Sequence, residues 1–340
     1  MRPSPAQNRH PEGGVVLIWV AFFMVFILGF IALGIDTAKM MATRTQLQNA
    51  ADAAALSGAS ALDLTTGKLR PDTALVRAQF NASHNLAFTS GPTPIQLLAG
   101  DVSFPAQNTI TVIVRRNPAA GGAMITHVAQ VLGITSLDLS ATATAIAESS
   151  GTVCEGLVPM APIEDPLVPF QTGCAHTYNL KVGSGSIGSG NFQLLDFPKC
   201  DEGPCGSIGG GAAAVRCLVA NGYGCCIGIG DMVMTQPGNK VGPFSQGIAD
   251  RWSRDTDQRV GICYEDYKGN GQRIVLVPKV ESFDVSGKKP VKITGFAAFF
   301  LQQKPTGGGS QTLTGQFLYA VAPGSGGGGK GTLFSIRLIK

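Results

Sequence analysis

Eight cysteines are the residues of this chain best placed to do chemistry. Cys154, Cys174, Cys200, Cys205, Cys217, Cys225, Cys226 and Cys263 lie within about 110 residues. Their number is even and no paired C-x-x-C spacing occurs, so they read as a disulfide framework formed in an oxidising compartment. Eight cysteines allow 105 pairings, and the sequence does not choose among them. Adjacent Cys225 and Cys226 are expected to take different partners, because a bridge between neighbours strains the peptide. Cys200 and Cys205 flank a loop holding Gly203 and Pro204, and either close it or bridge outward.

The other chemical motifs carry less. His176 stands two residues after Cys174, but an oxidising space claims the thiol before a metal does, and a surface histidine is expected. Asp255 and Asp257 in SRDTDQR are calcium-type ligands without the D-x-D-x-[DN]-G loop, and Arg254 and Arg259 stand ready to pair with them. They read as a solvated charge cluster. GSGGGGKGT (Gly324 to Thr332) nearly spells a phosphate loop, yet Gly331 sits where the magnesium-binding hydroxyl belongs and a short terminal strand comes after it. GSGSIG (Gly183 to Gly188) reads as a glycine turn. Neither a G-x-S-x-G elbow nor an H-E-x-x-H pair occurs in the sequence. No enzyme, cofactor or metal is expected.

Those cysteines need a body to hold them and a route to an oxidising space. At 340 residues the chain is long enough for two ordinary domains. Charged residues make up only 14%, and 45 glycines favour turns, strands and loops. Up to residue 150 there are nine Lys and Arg against eight Asp and Glu, and beyond it 17 against 14, so neither part carries the basic field that nucleic acid requires.

Gly14 to Ile35 is 22 residues without a charge, about 33 Å as a helix, which is the thickness of bilayer hydrocarbon. Asp36, Lys39 and Arg44 come next without an A-x-A cleavage pattern, so it reads as a retained transmembrane anchor. Arg2 and Arg9 before the span balance Lys39 and Arg44 after it, and charge leaves orientation tied. The cysteines break the tie: residues 1–13 are placed in the cytoplasm and the cysteine-bearing body outside it.

From Asp36 to about Leu62 the chain holds one glycine and no proline, so the helix is expected to run on into water, over 36–62. Leu47, Ala51, Ala54, Gly58 and Ala61 keep three-and-four spacing and form a seam of mostly small side chains. Such a seam serves either packing on the chain's own domain or close approach by a partner helix. Lys39, Thr43 and Gln46 are expected on a separate, solvated stripe.

Gly14, the apolar run, Asp36, Arg44 and the string Leu47, Gln48, Ala50, Ala51, Asp52, Ala53, Ala54, Ala55, Leu56, Gly58 and Ala59 resemble the N-terminal domain of the TadE/TadG-like family of Flp pilus-assembly proteins, of the bacterial tight-adherence system. GNFQLLDF (Gly190 to Phe197) and TQPGNKVGP (Thr235 to Pro243) are similar to segments of longer members. The resemblance implies a single-pass inner-membrane protein with a periplasmic body that helps assemble or anchor Flp pili, or a related secretion system. Its implied partners are pilus-assembly or pilin-like proteins and, as a homo-oligomer, further copies of itself. Two departures stand out. Prepilins of this system carry a glutamate five residues after the cleavage glycine, where cleavage after Gly13 would put Ile18. The metal site of the von Willebrand-type adhesion domain begins D-x-S-x-S, and the nearest string here, Asp284 to Lys288, has lysine in place of the second serine. A role as an envelope-anchored β-domain binding or adhesion module is the alternative.

The fold class expected is α+β: a long N-terminal transmembrane helix extended into a small α+β domain over 63–148, then a disulfide-containing β-rich domain over 151–340. Helical spacing is expected over Asp72 to Asn85, with Leu75, Val76, Phe80 and Leu86 on its apolar side, and over Met124 to Leu132. Alternation predicts strands at Thr109 to Val114, Leu137 to Ile146, Arg273 to Val277, Val291 to Leu301, Gly315 to Ala322 and Leu333 to Ile339.

Overall fold

The structure, a computed structural model, describes residues 13–162, 170–183, 191–206, 211–238, 240–283, 287–304, 310–327 and 331–339. Arg2, Arg9 and nearly all of the 1–13 segment lie outside the described residues. So do most of GSGSIG, the middle of GSGGGGKGT, and Asp284 to Ser286.

Among the described residues the chain forms four α-helices and seventeen strands. Helix α1 is Gly13–Ala59 and α2 is Pro71–Ser83. After them come strands β1 (Leu86–Phe88), β2 (Pro92–Pro94), β3 (Val102–Ala106), β4 (Thr109–Arg116), β5 (Met124–Ile125), β6 (Ser136–Leu137), β7 (Leu139–Ser149) and β8 (Thr152–Val153). Next are β9 (Tyr178–Gly183), β10 (Asn191–Asp196), α3 (Ala212–Asn221), β11 (Ile227–Gly228), β12 (Met232–Pro237) and α4 (Val241–Arg254). The chain finishes with β13 (Ile274–Val280), β14 (Pro290–Leu301), β15 (Ser310–Leu318), β16 (Ala320–Val321) and β17 (Leu333–Ile339). Five strands make one sheet in the order β16-β17-β7-β4-β3, and six make another, β10-β12-β14-β15-β9 with β13 also paired to β14. The chain divides into two compact units, Met1–Ala54 with Ala78–Val102 and Val112–Ala143, and Ala55–Arg77 with Ser103–Thr111 and Thr144–Lys340.

Helix α1 is 47 residues, about 70 Å long. It has no proline, and its glycines at 29 and 34 lie in the span. Residues such as Leu17, Phe23, Phe30 and Ile35 are 55–73% exposed, an apolar band long and hydrophobic enough to cross a membrane. Helix α2 opens on Pro71, whose missing N–H costs nothing at a first helical position, with Asp72 beside the positive end of the helix dipole. Its buried stripe is Ala74, Ala78 and Ala82, while Val76 and Phe80 are more than 60% exposed and Leu86 is half-exposed. Of the expected apolar side, Val76, Phe80 and Leu86 therefore face outward while Leu75 is half-buried, and the small side faces in. Met124 to Leu132 is not a helix. Met124 and Ile125 form β5, paired with β6, and residues 129–132 make one 3-10 turn stopped by left-handed Gly133. The apolar spacing there was too short to decide between states.

In the second unit, β14 explains the core. Its residues Val291, Ile293, Phe296, Ala298 and Phe300 enter one hydrophobic cluster, and Ala297, Phe299 and Leu301 enter another. A strand buried on both faces reads as an unbroken apolar run, as TGFAAFFL does. Helices α3 and α4 cover one of these faces with Val215, Val219, Phe244, Ile248 and Trp252. Gly247 lets them approach: a Cβ there would stand 2.6 Å from that of Val219 and 2.7 Å from the Arg216 carbonyl. Arg251, buried, donates to the carbonyls of Val219, Gln272 and Ile274, tying α4 to α3 and β13, and burial pushes its guanidinium down to about 10. These two helices stand among the strands of the β-rich 151–340 segment, where the sequence reading names only strands.

Candidate interaction site

The face of α1 beyond the span is fixed by polar side chains before any small seam begins. Asp36, the first charge after the 22-residue apolar run, is 5% exposed. Its carboxylate accepts the backbone N–H groups of His127, Val128 and Ala129, each at 2.8 Å. The N–H groups of Ala129 and His127 hold its carboxyl below the ordinary aspartate value. One turn on, the Lys39 ammonium donates to the Ile125 carbonyl at 2.9 Å. Thr43 is fully buried, its hydroxyl donating to Lys39 O at 2.7 Å and lying 3.4 Å from Met124 Sδ. Gln46 Oε1 accepts the Phe88 N–H at 3.3 Å. The stripe expected to be solvated is therefore part of the packed face, its polar atoms satisfied by backbone.

The seam continues that face. Leu47, Ala50, Ala51, Ala54, Ala55 and Ala59 are 0% exposed, and Gly58 is buried. Ala61 is 2% exposed but lies past the end of α1, where its carbonyl accepts the Arg70 N–H at 2.9 Å. The other four seam positions share one helix face, and all five are covered by this chain's own atoms. Nearby, Gln48 donates to the Thr142 carbonyl of β7 at 3.3 Å. The neighbours of Thr142 on the buried face of β7 are Ala141 and Ala143, so small residues recur there too. Ser57 donates to Arg77 O, and Arg77 returns two bonds to Ser60. The opposite face of α1 is open: Met41 is 61% and Leu56 36% exposed, with Thr45 and Asn49 exposed between them.

The cysteines pair as Cys154–Cys226, Cys174–Cys263, Cys200–Cys225 and Cys205–Cys217. Cys225 and Cys226 go to different partners, and Cys200 and Cys205 both bridge outward. Cys174, Cys263 and Glu265 stand close together, but the two sulfurs are bonded to each other and His176 is exposed. Asp255 and Asp257 are buried, not solvated. Asp255 accepts from the Tyr267 hydroxyl and the Asp257 N–H. The Arg259 guanidinium and the Lys268 N–H hold the Asp257 carboxyl far below its usual range. Their oxygens serve the fold. A cleft of about 730 Å³ is lined in the second unit by Asp196, Lys199, Glu202, Tyr223, Met232 and Lys288 among others, with both charge signs present.

Sequence reading missed the Asp36 clamp, because its three donors lie 91 to 93 residues away and are backbone groups with no residue signature. A family model described as "Putative Flp pilus-assembly TadE/G-like" matches residues 13–61. No curated protein and no solved structure matches the chain. The matched stretch contains the apolar span, Asp36 and all five seam positions. Over residues 13–61, then, the chain is similar to the TadE/G-like family of Flp pilus assembly.

Proposed function

We propose that this chain is a bitopic protein of the bacterial inner membrane that helps assemble or anchor a Flp-type, tight-adherence pilus or a related secretion system, in a structural and not a catalytic role. The observation that carries the reading is the coincidence of the family match with the span and the packed face of α1. The N-terminus lies in the cytoplasm and the body in the periplasm, a placement supported by four disulfides in the body and no free cysteine. Because the seam is filled from within, its alanines act as the spine on which the chain's own first unit packs. A partner helix from another pilus-assembly or pilin-like protein, or a second copy, meets the open face at Met41, Thr45 and Leu56. Photo-crosslinking in the native bacterium from a reactive residue in place of Met41 tests this. Adducts with another pilus-assembly protein or with a second copy are expected, and adducts with lipid alone refute the assignment.

The 730 Å³ cleft favours a second reading, in which the anchor is a tether and the body binds a surface ligand. Binding of the purified full chain to cells lacking the pilus system would support it.

A further inference from the structure

Contacts along α1 run in a fixed order. Thr43 touches Met124, Lys39 bonds Ile125, and Asp36 bonds residues 127–129. Going from 124 to 129, the chain therefore travels antiparallel to α1, towards the span. Asp36 is the last polar anchor before 22 uncharged residues. Residues 130–134 complete the loop, closed by hydrogen bonds from Gln130 to Thr126 and from Thr126 to the Ile134 carbonyl, after which β6 returns beside β5.

The composition of this hairpin is unusual for a water-facing loop. Between Arg116 and Asp138 there is no Lys, Arg, Asp or Glu over 21 residues, and His127 is the sole titratable group. Val131 is 85% exposed, above every α1 side chain in the apolar band, and Ile134 and Ile125 are 46% and 38% exposed. An apolar tip whose Val131, Gly133 and Ile134 N–H groups are bonded within the loop, held at the level where the span ends, suits the boundary between headgroups and acyl chains.

We infer that the hairpin tip around Val131 and Ile134 is a second membrane contact, seated in the lipid leaflet from which α1 emerges. It fixes how the first unit meets the bilayer, because a single helix leaves rotation and tilt free whereas a helix plus an adjacent wedge does not. The inference rests on residues 14–35 spanning the membrane, and the test separates the two.

All native cysteines are paired, so one added thiol is a unique labelling site. Full-length Val131→Cys, Phe26→Cys and Val76→Cys variants would carry an environment-sensitive fluorophore and be reconstituted into phosphatidylcholine vesicles containing nitroxide lipid, placed shallow or deep in the acyl chain. The Val131 label is expected to be quenched several-fold more than the Val76 label, and more by shallow than by deep nitroxide, with the Phe26 label quenched most by deep nitroxide. If Phe26 is quenched while Val131 matches Val76, the anchor stands and the wedge is overturned. If neither is quenched, the span reading fails and the wedge with it. A Val131 label that is blue-shifted yet unquenched by lipid shows protein covering the tip, which also overturns the inference.

Discussion

Loss of the Cys174–Cys263 bridge should destabilise the body more than loss of Cys205–Cys217. The two joined residues are 89 positions apart in the first case and 12 in the second. With Cys154–Cys226 intact, the unfolded chain already has a shortcut, and the loop that Cys174–Cys263 closes falls to about 58 residues. Chain-entropy arithmetic then gives about 4 kcal/mol for this bridge and about 3 for the 13-residue loop. Cys174 is exposed and Cys205, Cys217 and Cys263 only half-buried, so serine replacements remove little packing and closure entropy dominates. For a unit of this size each kcal/mol moves the melting temperature by about 2–4 °C. The Cys174→Ser/Cys263→Ser chain should melt about 8–16 °C below wild type, and Cys205→Ser/Cys217→Ser about 6–12 °C below. The assay is thermal unfolding of the full chain in detergent, read from Trp252, which is buried in this unit's core. A short-loop variant that melts at or below the long-loop one refutes the reasoning.

Packing sets three further outcomes. Ala54→Leu forces extra methylenes into a site with no exposure and should cost about 1–3 kcal/mol, whereas exposed Asn49→Leu should be near neutral in the same denaturation experiment. Gly247→Ala places a Cβ 2.6 Å from that of Val219, and a loss of about 1–3 kcal/mol is expected by denaturant titration. Asp36 has a lowered folded pKa, so its contribution is complete above the ordinary value of 3.8 and is lost as pH falls through the lower folded value. Amide exchange at residues 125–134 should therefore quicken in acid relative to the rest of the fold, and Asp36→Ala should abolish the difference by quickening it at neutral pH.

Where one physical signal dominated, the sequence was readable. The span needed only 22 uncharged residues, and β4, β7, β13, β14 and β17 showed in alternation or in unbroken apolar runs. Helices α3 and α4 did not, because AAAVRCLVAN is short and flanked by glycine, and VGPFSQGIADRWSR carries two glycines and a proline where propensity argues against helix. The three-and-four spacing of small residues identified the packed face of α1. What filled it could not be read, since alanine suits a partner helix and a neighbouring strand equally. Lys39, Thr43 and Gln46 looked solvated because their types are polar, and only the fold supplies the backbone groups that satisfy them.

The role in pilus assembly is tested most directly by counting surface filaments by electron microscopy in the native bacterium after deletion of this gene, with a complemented strain alongside. Loss of filaments, restored by complementation, is the predicted result. Filament numbers that do not change on deletion would contradict it.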